Sequence, residues 1–206
     1  MPWRLDHLAV SATSLAEGVA AVEAALGTAL GPGGQHALMS THNRLLGLGD
    51  LYLEVIAPDP SAPAPPHPRW FRLDEFRGPP RLTNWIAATD DLDSALADAP
   101  PGVGDAVALS RGDLRWRMAV PGDGQLPFDD AFPALIEWQG QAHPAARLPD
   151  CGVRLHRLTV VHPDARALRD SLVPHLTDTR LVIEPGPAKA MLATFDTPHG
   201  LRQLQG

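Results

Sequence analysis

The sequence predicts an α+β fold in which one βαβββ unit is used repeatedly. Three observations carry this. A strand-like, a helical and three further strand-like segments follow one another between Arg4 and Ala57. The same order returns between Leu82 and Trp138, and more faintly from Val153 onward. A proline-dense stretch, Pro58 to Pro68, separates the first two occurrences. Repetition of one supersecondary unit is read before any motif, because it decides the architecture.

The first unit spans residues 1–57. Leu5-Asp6-His7-Leu8-Ala9-Val10 is too short for a helix and alternates well enough for a strand. Ser14, with Glu17 three residues on, is a helix-start signature. Leu15, Val19, Val22 and Leu26 then recur at helical spacing, and Gly27 stands where a helix stop belongs. Gly31, Gly33 and Gly34 predict a turn, followed by short strands at His36–Ser40, Arg44–Leu48 and Leu51–Ala57.

Residues 58–80 form a connector whose prolines make an extended tether. Its tail, Trp70-Phe71-Arg72-Leu73, is too aromatic for a spacer and is expected to dock on the body. The second unit spans 81–140, with a strand from Leu82 to Ala88 and a helix begun by Asp90 or Asp91. Strands follow near Ala106–Ser110, Leu114–Val120 and Ala134–Trp138, with Pro121–Asp130 as a surface loop. Placing Leu15 over Leu92 sets His7 over Asn84, and Glu54 lies over Glu137. A third, βαβββ-like unit spans 152–206. Pro163-Asp164 starts its helix, which Leu168, Leu172 and Leu176 face inward.

The opening Leu-Asp-His-Leu-Ala-Val, the Thr41-His42-Asn43-Arg44-Leu45-Leu46 stretch, the Leu51–Ala57 strand and Phe132-Pro133-Ala134-Leu135-Ile136-Glu137-Trp138 together resemble the glyoxalase-like branch of the vicinal-oxygen-chelate superfamily. That resemblance implies two units sharing a curved half-barrel sheet, helices outside and the site within. An odd third unit is then expected to cap the cleft or to contact a second chain in a homodimer. The resemblance further implies metal ligands on the first and last strands of each unit.

In the last strand of the first unit Tyr52, Glu54 and Ile56 share a face, as Leu5, His7 and Ala9 do in the first strand. If both faces turn inward, His7 and Glu54 meet, and an imidazole with a carboxylate begins a divalent metal site. With Glu137 from the second unit, His7, Glu54 and Glu137 are the candidate metal ligands; Glu54 and Glu137 are also the candidate acid–base pair. Asn84 stands where many metal-binding relatives carry a second histidine, and asparagine is a poor ligand for transition metals. Competing readings are a solvent-facing Glu54, a merely satisfied His7 and a Glu137 paired with Arg115 or Arg117. Asn43, on or near a loop, together with Asn84, Trp85 and Trp116, is the candidate substrate-binding set. A turn-forming role competes for Asn43, and core packing for the tryptophans. His36 and His42 would share one side of an unbroken strand, but Thr41 is expected to break it.

A net charge of −7 without a basic cluster argues against nucleic acid and anionic membranes as partners. Cys151 is the single cysteine, so an internal disulfide is excluded. No leader-like or membrane-spanning apolar run is present, and a cytoplasmic location is expected. Nucleophile-elbow, phosphate-loop, dinucleotide and zinc-protease motifs are absent. Lys189 is the sole lysine and shows no desolvating or cationic neighbour in sequence, which makes it a poor catalytic candidate. Two readings remain. One is a small-molecule enzyme, metal-assisted or not, performing lyase, isomerase or dioxygenase chemistry on adjacent oxygens. The other is a metal-free protein that binds and sequesters an organic ligand.

Overall fold

A computed structural model describes residues 2–206 as two sheets on a shared apolar core. The larger sheet has eight strands: β1 (Arg4–Ser11), β2 (Gly31–His36), β3 (Thr41–Gly47), β4 (Tyr52–Pro58), β5 (Arg81–Ala88), β6 (Asp105–Arg111), β7 (Leu114–Val120) and β8 (Ala134–Trp138). Its order is β2-β3-β4-β1-β5-β8-β7-β6, so β1 and β5 lie side by side at the centre. In each half the first strand runs parallel to the last, β1 with β4 and β5 with β8. The sheet curls until its two edges approach, and Arg111 at the end of β6 reaches Asn43 on β3. This is the curved half-barrel of βαβββ units.

Helix α1 (Leu15–Leu26) starts as its cap predicts: the Ser14 hydroxyl accepts from the Glu17 amide, and Gly27 closes it at φ 70°. Gly18 lets α1 approach β4, since a Cβ there would lie 2.5 Å from Val55. Helix α2 (Leu92–Asp98) is capped by Asp91. A short turn, α3 (Pro127–Asp130), lies in the loop before β8.

One local prediction is reversed. The glycine-rich run forms strand β2, and residues 37–40 form the turn. The cause is close packing: a Cβ on Gly33 would lie 1.9 Å from the Asn43 carbonyl oxygen. Only glycine permits that approach.

The third unit keeps the element order but not the topology. It comprises β9 (Arg154–His162), α4 (Ala165–Leu172), β10 (Leu181–Pro185), β11 (Ala190–Thr197) and β12 (Gly200–Gln205). Its sheet order is β10-β9-β11-β12, so β9 pairs in parallel with the strand that follows its helix. In the other two units the parallel partner is the last strand. The third unit docks through Trp3 stacked on His175 and through an Arg180–Asp50 fork. It does not cap the hollow around His7 and Glu54, a role that falls to the connector's tail, a 3-10 turn at Trp70–Arg72. Its Lys189 and Gly206 do line a second cavity beyond that turn. No helix among the described residues is long and apolar enough to cross a membrane.

Candidate active site

Strand alternation decides which side chains enter the half-barrel. Across β4, β1 and β5 the aligned sets are Tyr52–His7–Ile86 and Glu54–Ala9–Asn84. Both sets face inward. Residues one step away face the helices, where Leu53, Leu8 and Trp85 align.

His7 and Glu54 meet as the alternation predicts, with Nε2 and Oε1 3.7 Å apart and both residues about 5% exposed. Asn43 joins them: its amide donates to Glu54 Oε2 at 2.7 Å. The Asn43 oxygen accepts from Arg111 (2.9 Å) and from the Gly34 amide (2.9 Å). Tyr52 stacks on His7 at 4.2 Å between centroids. Trp70, Phe71, Trp116, Met118, Ile136 and Trp138 close the remaining walls and leave a cavity of about 30 Å³. That is room for a water molecule.

Asp6 was hidden in sequence, because alternation points it away from His7. The β1–β5 register slips between Leu5 and His7, and the bulged residue is Asp6. A bulge re-aims a side chain. Here it brings Asp6 Oδ1 to 2.5 Å from His7 Nδ1. Asp6 Oδ2 contacts His143 Nε2 and accepts from Trp138 Nε1, both at 3.0 Å. The chain Glu54–His7–Asp6–His143 thus runs from the closed hollow to a wide surface groove lined by Asp6 and His143.

Charge follows geometry. Burial disfavours ionisation of His7, yet its contacts with Asp6 and Glu54 outweigh that and raise its pKa. Burial likewise opposes the Asp6 carboxylate, but His143 and His7 hold its pKa well below the usual range. Glu54 is also lowered despite burial, by His7, His36 and Asn43. Both carboxylates thus favour a proton on His7, and His7 favours their charge in return. His36 is driven the other way, to about 4, chiefly by burial.

Three predicted residues are not brought to this hollow. Glu137 lies on the opposite face of β8 from Ile136 and Trp138. Its carboxylate accepts from the Leu92 amide at the start of α2 (2.9 Å) and from Arg117 (3.3 Å). The set His7, Glu54 and Glu137 therefore does not assemble. Among the described residues no three His, Cys, Asp or Glu side chains form a metal-binding group. Trp85 is core, its indole donating to Ala131 O at 2.9 Å. Adjacent strand residues point to opposite faces, so Trp85 and Asn84 could not both line the cleft. Asn84 does face inward, but it lines a second cavity beyond Phe71. His42 faces away from the hollow that His36 lines, because residues 37–40 turn the chain between them. Arg111 and His143 gave no signal in sequence, since each reaches the site through an edge or a loop. In sequence Trp70 and Phe71 show only as a tail that docks on the body, and His36 only as a partner of His42.

Residues 5–176 match the glyoxalase-like domain family. No curated protein matches the chain. Among solved structures, a hypothetical protein from Staphylococcus aureus is similar over 92% of this chain and 88% of its own, at 12% identity and a TM-score of 0.63. A methylmalonyl-CoA epimerase from Streptomyces coelicolor is 15% identical over 68% of this chain and 98% of its own, with a TM-score of 0.47. One from Mycobacterium tuberculosis is 18% identical over 67% and 88%, with a TM-score of 0.44.

Proposed function

This chain belongs to the glyoxalase-like domain family of the vicinal-oxygen-chelate superfamily, and from that premise we propose an enzyme that moves a proton next to a carbonyl of a small organic substrate. The single observation that supports this reading is the buried His7 ring held between the Asp6 and Glu54 carboxylates. Glu54 takes the proton from the carbon beside the carbonyl. His7 donates through Nε2 to the carbonyl oxygen as it gains charge, and Arg111 adds a second positive group to the same hollow. The proton returns from Glu54 to the same carbon, on either face, so no oxidant or co-reactant is consumed. Asn43 orients the Glu54 carboxylate, and Trp116 shapes the wall against which the substrate rests.

The predicted third ligand, Glu137, caps a helix on the far face, which leaves His7 and Glu54 to carry the proton transfer themselves. Entry requires the Trp70–Phe71 roof to lift. Phe71 and Arg72 sit at φ 57° and 50°, conformations that cost on the order of 1 kcal/mol each for such residues.

The test is hydrogen exchange in deuterated water, with a panel of small ketones, aldehydes and 2-oxo acids followed by proton NMR. Enzyme-dependent exchange that falls at least ~100-fold in Glu54→Gln supports the reading, the range typical of a lost general base. Undiminished exchange in that variant sinks it. Ligand binding by the wild-type chain without any exchange would favour sequestration, the reading that the aromatic walls of Trp70, Phe71, Trp116 and Trp138 suit.

A further inference from the structure

Beyond Phe71 the half-barrel opens into a second cavity of about 210 Å³. Phe71 belongs to the walls of both cavities and stands between them. Asn84 is 1% exposed, and neither its amide nitrogen nor its oxygen has a hydrogen-bond partner. An orphaned donor and acceptor on one buried side chain is costly, at roughly 1–3 kcal/mol for each group. Native proteins retain such groups when something else satisfies them.

Charged groups gather around this amide. Lys189 lies half-buried in the same wall, its ammonium donating to the Thr83 carbonyl at 3.3 Å. Contrary to the sequence reading, it does have desolvating and cationic surroundings: burial lowers its pKa, with Arg81 adding to the effect and Asp130 opposing it. Arg81 gives its Nη1 to backbone carbonyls and stacks over Phe76. Arg72 is paired with Glu75 on the rim. Asp130 completes the wall, held by the Leu126 amide and pushed upward by burial. Five of the six non-glycine residues at positive φ, Phe71, Arg72, Phe128, Asp129 and Asp130, lie in the two segments that flank the cavity.

We propose that this cavity binds a small hydroxycarboxylate, its carboxylate on Lys189 and the Asn84 amide nitrogen and its hydroxyl on the Asn84 oxygen. Such a ligand satisfies both orphaned groups at once and gives the ammonium a directly bonded carboxylate, where Asp130 and Asp129 act on it only through space. A neutral amide would give Lys189 no direct ion pair, and a plain carboxylate would leave the Asn84 oxygen unsatisfied. The binding claim stands apart from the proton-transfer reading. Only the further step, that the bound molecule extends past Phe71 to His7 and Glu54, rests on it.

Because Lys189 is the sole lysine, reductive 13C-methylation gives a single side-chain NMR signal. Titration with DL-lactate is expected to shift that signal saturably. Propionate and lactamide, each lacking one required group, are expected to bind about tenfold more weakly. Calorimetry on the unmodified chain should give the same ranking. Asn84→Leu is expected to weaken lactate binding about tenfold while raising the melting temperature, since it removes the unsatisfied amide. Lys189→Met, at a more exposed position, supplies a second variant if the first does not fold, and it should abolish the lactate response. Lactate binding that survives in Glu54→Gln keeps this site separate from the fate of the proton-transfer step. No saturable shift with lactate, equal binding of propionate, or full affinity in Lys189→Met overturns the proposal.

Discussion

At the scale of single residues, the site turns on a one-residue slip in β1. Without the bulge at Asp6, His7 would face Glu54 with Nδ1 unsupported, and nothing would connect the hollow to His143. Asp6→Asn should therefore strand a buried imidazolium, at a cost of about 3–5 kcal/mol for breaking a buried pair. Urea denaturation at neutral pH would measure it, and a loss under ~1 kcal/mol, the size of a surface pair, would contradict the charge state assigned here. His36 gives a prediction of opposite origin. Its folded pKa near 4 lies below the ordinary 6.5, so the unfolded chain binds a proton that the folded chain refuses. Stability is full above pH 6.5 and declines as pH falls toward 4, by an amount on the order of 3 kcal/mol from this group. His36→Gln should flatten that decline in denaturation curves taken across the window. His7, whose pKa is raised, contributes in the other sense: its stabilisation is complete below 6.5 and is lost as pH rises through the folded value.

At the scale of elements, caps and close approaches carry testable weight. Glu137 serves α2 and Arg117, so Glu137→Gln should cost roughly 1 kcal/mol, as a charged cap does. The same change should leave any proton exchange at its wild-type rate; a variant inactive yet fully folded would return Glu137 to the chemistry. Gly33→Ala should be far more damaging than a helix cap, because its methyl would meet the β3 backbone and peel β2 from the sheet edge. Loss of β2 would also remove the Gly34 amide from Asn43, and with it part of what orients Glu54. The elements themselves were largely legible in the sequence, since hydrophobic periodicity and capping residues act locally. Ser14, Gly27 and Asp91 do in the structure what their positions announced. The glycine run was misread because glycine marks both turns and places where two backbones nearly touch. Only the identity of the neighbour, Asn43, distinguishes them.

At the scale of the whole molecule, one apolar cluster runs through both sheets, from Leu8 and Val55 to Leu158 and Phe195. All five tryptophans precede residue 139, so their fluorescence reports the eight-stranded sheet, its roof and, through Trp3 on His175, the seam with the third unit. A shared core predicts that fluorescence and far-UV circular dichroism follow one coincident urea transition. Two separated transitions would mean that the third unit opens by itself. Its altered strand order also sets the third unit apart from the first. The element order is repeated, but the strand that would carry a partner carboxylate is not beside β9.

The sequence by itself determined the alternating faces and the helix limits. It also put His7 and Glu54 on the mixed faces of their strands, because each of these follows from local periodicity; that the two strands lie side by side does not. Tertiary structure alone decided the rest. A bulge turned Asp6 inward, parity sent Glu137 and Trp85 outward, and the curl of the sheet brought Arg111 to Asn43. The connector's tail supplied the roof, and Lys189 arrived beside Asn84 from more than 100 residues away. The physical reason is that each of these depends on which strands lie next to one another and on how the sheet bends. Periodicity along the chain carries no information about either.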